Sequence, residues 1–215
     1  MSALVTKKLS DDILKTRIKF PGLYPVYYGK KISALQGNIV IRDGESIYQG
    51  DFDIRILVNE KYPHHFPEMY EVSAKIPRTD DRHINPQGLI CVEVEPKQFV
   101  IAQRGISLFQ FVDEYAYNYL CGQLYFDIEN KWPGDEWNHH QEGIKEYFYR
   151  IFNAQNDVSI KKFLQLIISR QIPARNNRCF CGADKKYKRC HIKTVEDIKL
   201  IPLQKLIEYE KYFLA

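Results

Sequence analysis

The stretch Gly50-Asp-Phe-Asp-Ile-Arg-Ile-Leu-Val58 alternates apolar and charged side chains over most of its length. A period of two is typical of a strand with one face in the core and the other in solvent, and this strand is predicted to start at Tyr48. Working outward, strands are also predicted from Ala34 to Arg42 and from Met69 to Ile76, with a turn at Asp43-Gly44-Glu45. Short connections favour antiparallel pairing. The sequence therefore predicts an antiparallel meander of three or four strands.

Helical patterns lie on both sides of these strands. Most begin at a Ser, Thr or Asp that can cap a first turn. The first predicted helix starts at Ser10 and has an inner face of Ile13, Leu14 and Ile18. The others run from Ser107 to about Asn130, from Asp135 to about Phe152, from Asp157 or Ser159 to about Arg170, and from Thr194 onward. Residues 77–105 are predicted to form an irregular loop. This order of elements predicts an α+β fold, divided into a first domain of residues 1–155, a helical linker of residues 156–174 and a small C-terminal module of residues 175–215.

Composition limits the class of protein. The chain has 215 residues, 45% of them hydrophobic and 27% charged, as in ordinary globular proteins. No stretch approaches the roughly 20 apolar residues of a membrane span, and the N-terminus does not resemble a signal peptide. The expected location is the cytoplasm. Five cysteines are an odd number, which argues against a disulfide framework in such a chain.

Three cysteines and a histidine lie within thirteen residues near the C-terminus: Cys179, Cys181, Cys190 and His191. Three thiolates and one imidazole are the four ligands of a closed tetrahedral zinc site. Gly182 follows the first pair, where the chain must turn so that both sulfurs face one ion. Such a short segment cannot bury a core, so the metal would supply its folding energy. The alternative is an exposed set of reduced cysteines.

The spacing of these residues, Cys-x-Cys-x8-Cys-His, resembles the SEC-C motif found at the end of many bacterial proteins. The Ser-Gly-Lys-Lys that is usual in the motif reads Ala183-Asp184-Lys185-Lys186 here, which leaves all four ligands in place. The resemblance implies a bound zinc ion. Because a site with four protein ligands has no open position, this zinc is expected to be structural.

Cys91 is a second candidate site. It follows His83, Asn85 and Gly88 in a segment whose turn would allow the imidazole and the amide to fold back over the sulfur. A thiol with nearby polar donors is a candidate nucleophile. From these residues alone, a cysteine among Leu, Ile and Val is more often part of a core. Cys121, in an apolar and ring-rich stretch, is predicted to be an inert buried thiol.

Residues 34–94 resemble the core of ubiquitin-conjugating enzymes (the UBC fold). The matching motifs, in order, are Gly50–Ile56, Tyr62-Pro63-His-His-Phe66-Pro67, His83-Ile84-Asn85, Gly88 and Ile90-Cys91-Val92. His-Ile-Asn stands where the family has His-Pro-Asn, and the loop to the cysteine is shorter. The stretch Trp132-Pro133-Gly134 with His139 resembles the tail of a divergent bacterial branch of the family.

This resemblance implies that Cys91 carries a protein C-terminus as a thioester and passes it to an amine. Asn85 or His83 would stabilise the oxyanion that forms during the attack. Asp135, His139 or His140 would remove the proton of the amine. From the residues alone, the favoured interpretation is that Asp135 is only a helix cap and that the two histidines are surface residues in the first turn.

The resemblance is closest to the stand-alone conjugating enzymes of CBASS anti-phage operons. It implies as partners a ubiquitin-like protein or the C-terminus of a cGAS-like nucleotidyltransferase, together with a protein target. Two alternatives stay open, an inactive binding module of the same fold and an adaptor that uses the zinc module. Between Lys161 and Lys193 basic residues far outnumber the single acid, Asp184. This segment could steer an acidic partner or contact phosphates, or it is a solvated face around the zinc site. It lacks the aromatic interleaving that stacks bases, so nucleic acid is not an expected partner. A membrane is not expected either, since no long apolar stretch is present.

Overall fold

A five-stranded antiparallel sheet dominates the first part of the chain. The computed structural model describes residues 3–214. Across the sheet the strands follow in chain order: β1 Leu23–Tyr28, β2 Lys31–Arg42, β3 Tyr48–Leu57, β4 Glu68–Glu71 and β5 Leu89–Ile90. In the alternating stretch of β3, Phe52, Ile54 and Ile56 are buried, as predicted. The mixed α+β class and the antiparallel meander are therefore confirmed.

The sheet has two strands that were not predicted, and one strand is shorter than predicted. β1 contains Pro25, which an edge strand tolerates. β5 is only two residues long, too short to show a period. β4 ends at Glu71 rather than Ile76, because the Glu71 carboxylate accepts hydrogen bonds from the amides of Ser73, Ala74 and Lys75 and turns the chain away from the ladder.

Helix α1, Ala3–Lys19, precedes the sheet. It begins before Ser10, so the predicted start was wrong. Leu9, Ile13 and Thr16 form the buried stripe of the helix. Leu14 and Ile18 were predicted to be inward but are 60% and 84% exposed. The prediction failed because it chose the wrong helical face: the spacing i, i+4, i+7 from Leu9 fits the core and includes a threonine.

The predicted long helix after Ser107 is confirmed. It consists of α3 Leu108–Gln110, a π-helical segment Phe111–Ala116 and α4 Tyr117–Glu129. Ser107 caps it, since its Oγ accepts a hydrogen bond from the amide of Gln110 at 3.0 Å. At the other end Asn130 adopts the left-handed conformation and stops the helix.

The described part of the chain forms two compact units. The first comprises the residues up to Glu93 together with Arg104–Glu136, and the second comprises Val94–Gln103 together with the residues from Trp137 onward. The second unit is built from most of α2 (Glu95–Arg104), α5 (His140–Phe152), α6 (Asp157–Ile168), α7 (Ile192–Ile198) and α8 (Leu203–Glu210). No helix in residues 3–214 is long and apolar enough to cross a membrane.

Some helix predictions in this region need correction. Helix α2 lies in the segment predicted to be irregular. Asp135 does not cap a helix: α5 begins at His140, with His139 at the cap position. Thr194 lies inside α7 rather than ahead of a helix, and Pro202 separates α7 from α8. The capping residues were misplaced because the cap positions that these helices use, His139, His191 and Pro202, are not Ser, Thr or Asp, so the local pattern pointed to other residues.

One apolar core runs through the second unit. It contains Phe148 and Phe152 of α5, Phe163 of α6, Cys179 and Tyr187 of the cysteine-rich segment, and further residues of α7 and α8. The predicted divisions at residues 155 and 174 therefore fall inside a shared core. Residues 175–193 are packed against the helices before and after them rather than standing apart.

Candidate functional site

The four predicted metal ligands converge. The ligand atoms of Cys179, Cys181, Cys190 and His191 all lie within 4.8 Å of one another. His191 Nδ1 is 3.3 Å from Cys179 Sγ and 3.2 Å from Cys190 Sγ, and the sulfurs of Cys181 and Cys190 are 3.6 Å apart. Four soft donors at these separations surround a single point, which is the arrangement that a tetrahedral metal ion requires.

A hydrogen bond on the ring nitrogen that faces away from the sulfurs fixes the orientation of His191. Its Nε2 lies 3.1 Å from the backbone carbonyl oxygen of Phe152, at the end of α5. A carbonyl can only accept, so Nε2 carries the proton and donates it. In the neutral ring Nδ1 then presents its lone pair toward the three sulfurs. A metal-binding histidine needs this tautomer, and such a partner on the far nitrogen is a usual feature of metal sites.

Aromatic rings cover the cluster. Phe180 stacks on the His191 ring with centroids 5.5 Å apart, and it contacts Phe163 at 4.9 Å. Cys179 and Tyr187 are 5% and 4% exposed. An apolar wall of this kind excludes water from the ligands. The site is therefore enclosed on the side of the helical core.

A tight turn presents the first two sulfurs. Gly182 has φ +83°, a conformation that favours glycine, and its amide donates to the Cys179 carbonyl oxygen at 3.3 Å. The Cys179 amide donates to the carbonyl oxygen of Lys185 at 3.0 Å, and Arg178 and Lys186 form an antiparallel bridge. The segment that follows Cys181 thus folds back on itself, and it directs the sulfurs of Cys179 and Cys181 to one side.

The thiols affect one another's ionisation. Desolvation, together with the neighbouring Cys181 and Cys179 thiols, raises the pKa of Cys190 to about 12. Desolvation also opposes ionisation of Cys181, but hydrogen bonds from the Ala183 amide and the adjacent thiols lower its pKa below the ordinary value. Three negative sulfurs cannot share this volume without a positive charge. A bound cation would supply that charge, so the donor set fits a metal ion.

Cys91 lies at the surface of the first unit, directly after β5. Its side chain is exposed. β5 pairs with β4 on one side, and Ile90 also bridges to Ile84, so that both isoleucines are buried beneath the loop. The Cys91 amide donates to the His83 carbonyl oxygen at 2.8 Å. The structure thus brings the backbones of Cys91 and His83 together, whereas the predicted position of the imidazole over the sulfur stays a prediction.

The Cys91 thiol is accessible, but protein atoms crowd it from below. This partial desolvation raises the pKa of Cys91, and the nearby Glu93 carboxylate acts in the same direction. A backbone hydrogen bond at Glu93 acts in the opposite direction. The neutral thiol itself donates to the Glu93 carbonyl oxygen at 3.6 Å. The net direction is upward, so Cys91 is mainly a neutral thiol at neutral pH.

Asn85 organises the loop before Cys91. Its Oδ1 accepts hydrogen bonds from the amides of Gln87 at 3.0 Å and Leu89 at 2.9 Å. Gly88 completes the turn with φ +86°, and a side chain there would lie 2.7 Å from the Glu71 carbonyl oxygen. The Asn85 side chain therefore holds the shape of the loop through its oxygen, and its amide nitrogen is the group left to act as a donor.

His83 contacts a carboxylate that the sequence analysis did not name. Its Nε2 is 3.0 Å from Glu136 Oε2, and its ring meets the Trp132 ring at a centroid distance of 5.1 Å. Trp132 Nε1 donates to the carbonyl oxygen of Asp81 at 2.7 Å. Glu136 lies beside Asp135 in a short acidic pair after the Trp-Pro-Gly turn. That turn pointed to the right segment, although the sequence could not choose between the two acids.

The α4 helix anchors the same loop. Arg82 forms an ion pair with Asp127 at 2.6 Å, and its side chain lies over the Phe126 ring at 4.2 Å. The Arg82 carbonyl oxygen accepts hydrogen bonds from Tyr119 and Gln123 at 2.7 and 2.9 Å. These contacts fix the backbone next to His83.

The remaining predicted residues are distributed over both units. Asp135 is exposed and belongs to the first unit. His139 and His140 belong to the second unit, at the start of α5, with ring centroids 6.3 Å apart. Cys121, which was predicted to be buried, is half-buried in α4, and desolvation raises the pKa of its thiol.

Comparison with known proteins supports the metal cluster. Residues 175–193 match the SEC-C motif. This match covers the cysteine-rich segment and includes all four converging residues. No curated protein matches the chain. The motif and the geometry are together consistent with a metal ion held by residues 175–193.

Proposed function

We propose that the chain is a ubiquitin-conjugating-enzyme-like cysteine acyltransferase with a UBC fold in its first unit. Cys91 would form a thioester with a protein C-terminus and pass the acyl group to an amine on a target. The observation that carries the proposal is the exposed Cys91 thiol beside His83, in a loop that follows an antiparallel meander. This is the order of elements in the family that residues 34–94 resemble.

The loop contacts support the steps that acyl transfer requires. The exposed sulfur leaves room for a carrier protein and then for an amine. The Asn85 amide nitrogen is a candidate donor to the oxyanion of the tetrahedral intermediate, since the Asn85 oxygen is already held by loop amides. Such a donor contributes to rate only when it is preorganised, and the hydrogen-bonded loop provides that.

We propose that the carried protein is a ubiquitin-like protein or the C-terminus of a cGAS-like nucleotidyltransferase, in a CBASS anti-phage operon. This role rests on the resemblance of the Cys91 segment and of the Trp132-Pro133-Gly134 stretch. The contact of Trp132 with His83 supports it by linking the two parts of the resemblance at one place. Either a separate activating partner would load Cys91, or Cys91 would be joined directly to the C-terminus of a partner.

We also propose that the ion of the SEC-C module is zinc in a structural role. Three cysteines and one histidine suit zinc better than harder cations, which prefer oxygen ligands. The four side chains would complete the coordination, and Phe180 would cover it. Zinc bound this way supplies folding energy and leaves no position for a substrate.

The test is mass spectrometry of Cys91 under non-reducing conditions in cells that carry the native operon. Wild type should show a protein adduct that thiols release, and Cys91→Ala should not. Cys121→Ala is the matched control, because it removes a thiol of raised pKa without touching the loop. A free Cys91 thiol in every condition, with full biological activity of Cys91→Ala, would reject the acyltransferase.

One observation favours a second candidate, a binding module of the same fold. Desolvation raises the pKa of Cys91, whereas many nucleophilic cysteines have a lowered pKa. In this case the loop would hold a peptide or protein tail without covalent chemistry. Retention of binding by Cys91→Ala, measured with the same operon proteins, would favour this candidate.

A further inference from the structure

The cysteine-rich segment, residues 175–193, carries a dense group of positive charges on its surface. It contains seven basic residues and one acid, Asp184. Three thiolates with a divalent ion have only one net negative charge, so the segment stays strongly positive when metal is bound. We propose that this segment binds the phosphate backbone of duplex nucleic acid without reading its sequence. This binding does not depend on the acyl transfer proposed for Cys91.

Backbone hydrogen bonds bring the basic residues together. The Lys188 amide donates to the Arg175 carbonyl oxygen at 3.1 Å, and Arg178 forms an antiparallel bridge with Lys186. The Arg189 amide donates to the Lys186 carbonyl oxygen at 2.8 Å. Basic residues from before and after the first two cysteines are therefore neighbours in space.

Most of these charges are not neutralised within the chain. Arg178 forms an ion pair with Asp184 at 2.8 Å, but the two side chains are 80% and 87% exposed, and so open a pair contributes little. Within residues 3–214 the other six basic residues of the segment have no ion-pair partner: Arg175, Lys185, Lys186, Lys188, Arg189 and Lys193. Glu196, the next acid along the chain, pairs with none of them. Like charges held this close repel one another, so a polyanion that neutralises them is bound favourably.

The segment exposes charge without an apolar patch. None of the large apolar side chains of residues 175–193 is exposed: Tyr187 is buried, and Phe180 packs on His191 and Phe163. Protein interfaces are built around an apolar centre, and membrane-binding helices insert apolar side chains. Interfaces with nucleic acid are more polar and more positive. A phosphate backbone therefore fits this surface better than a protein or a membrane does.

The expected contacts are with phosphates rather than with bases. Nucleic acid was not an expected partner from the sequence, because the segment lacks rings placed to stack bases, and its two rings are indeed covered. Phosphate contacts need no rings, since lysine binds phosphate as a point charge and arginine donates two parallel hydrogen bonds. A duplex also carries more charge per unit length than a single strand, so it releases more counterions when cations bind.

The experiment uses the full chain loaded with zinc and a fluorescein-labelled DNA duplex of about 20 base pairs. Fluorescence anisotropy gives the affinity at several KCl concentrations from about 50 to about 200 mM. The test variant combines Lys185→Gln, Lys186→Gln and Arg189→Gln, which replace exposed side chains and leave the metal ligands in place.

A matched control changes the net charge equally at another place. It combines Lys7→Gln, Lys30→Gln and Lys131→Gln, which replace three exposed lysines of the first unit. Metal content by elemental analysis and the melting temperature show whether each variant keeps its fold. If the triple test variant loses metal, Lys185→Gln alone takes its place, with an expected change in the salt slope of about 1.

We expect the affinity of the starting protein to fall with a slope of log K against log salt of about −4 to −5, as for about five phosphate contacts. The test variant should reduce this slope by about 3 and bind about 10²-fold more weakly at about 100 mM KCl. The control variant and Cys91→Ala should bind as the starting protein does. Two duplexes of unrelated sequence should bind equally, and a single strand of the same length more weakly.

Four outcomes would overturn the proposal. An unchanged slope in the test variant would show that these residues do not contact phosphates. An equal loss in the control variant would show attraction by net charge alone. Displacement of the duplex by polyglutamate at equal charge concentration would assign the surface to an acidic protein. Tighter binding to vesicles of phosphatidylglycerol and phosphatidylcholine than to the duplex would assign it to a membrane.

Discussion

The two cysteine sites of this protein use similar residues in opposite environments. Around the SEC-C cluster, three sulfurs and an imidazole nitrogen converge, and aromatic rings cover them. At Cys91 a single sulfur is exposed, and the neighbouring imidazole is bonded to a carboxylate. In each case Nε2 of the histidine is bonded to an oxygen acceptor, the Phe152 carbonyl oxygen or the Glu136 carboxylate. The contrast lies in what surrounds each sulfur, a converging set of four donor atoms at the cluster and an exposed position at Cys91.

Of the changes considered, removal of the metal ion should have the largest effect on stability, and it should affect the cysteine cluster but not the Cys91 site. Chelation, or Cys190→Ser, should remove the ion and unfold residues 175–193, because zinc contributes on the order of 10 kcal/mol to small modules with four such ligands. Since these residues share a core with α5 and α6, the second unit should also lose stability. The measurements are metal content by elemental analysis and thermal unfolding by circular dichroism.

The control for metal removal is Cys91→Ser, which should keep one zinc ion per chain and the original melting temperature. Full metal content and an unchanged melting temperature in Cys190→Ser would contradict the assignment of that residue as a ligand.

Substitution of the glycine in the turn next to each site should have an effect of intermediate size on stability. Gly88→Ala must adopt φ +86° and also place a methyl group 2.7 Å from a backbone oxygen, whereas Gly182→Ala meets only the backbone cost, with open space around it. We expect Gly88→Ala to lower the free energy of unfolding by about 2–4 kcal/mol and Gly182→Ala by about 1 kcal/mol. Urea unfolding of both variants, with metal bound, measures the difference. A larger loss for Gly182→Ala would show that the Cys91 loop is less rigid than its contacts indicate.

Thiol reactivity should give the smallest effect. The raised pKa of Cys91 means that less thiolate is present at a given pH, so alkylation by iodoacetamide should be slower than for an unstructured cysteine peptide and should rise as pH approaches the raised pKa. The cluster cysteines should stay unmodified until metal is removed. Peptide mapping after alkylation between pH 7 and about 10 checks both statements. Faster alkylation of Cys91 than of the peptide at pH 7 would contradict the pKa direction.

Local sequence patterns predicted the metal cluster and the core of the sheet. The ligands lie within thirteen residues, so the spacing itself limits the geometry, and the alternation in β3 reports directly on burial. The backbone proximity of His83 and Cys91 was also predictable, since only a short turn separates them.

Features that depend on distant residues were not predictable. Glu136 meets His83 across 53 positions, and nothing local distinguishes it from Asp135. Helix α2 was missed because Val100 and Ala102 are its only buried apolar side chains apart from Pro96. The π-helical segment within the long helix changes hydrogen bonding without changing the apolar pattern, so it too left no signal.

The hydrogen bond from Tyr209 to Glu95 joins residues 114 positions apart, at 2.8 Å, inside the second unit. During synthesis on the ribosome, α2 would emerge long before the helices it packs against. The first unit has all of its strands and its long helix available once Glu136 has been made, and it can therefore fold earlier. The second unit has to wait until α8 is complete, with its cysteines unligated in the interval. We therefore expect the unit that carries Cys91 to be acquired first, and metal capture to be among the last events of biogenesis.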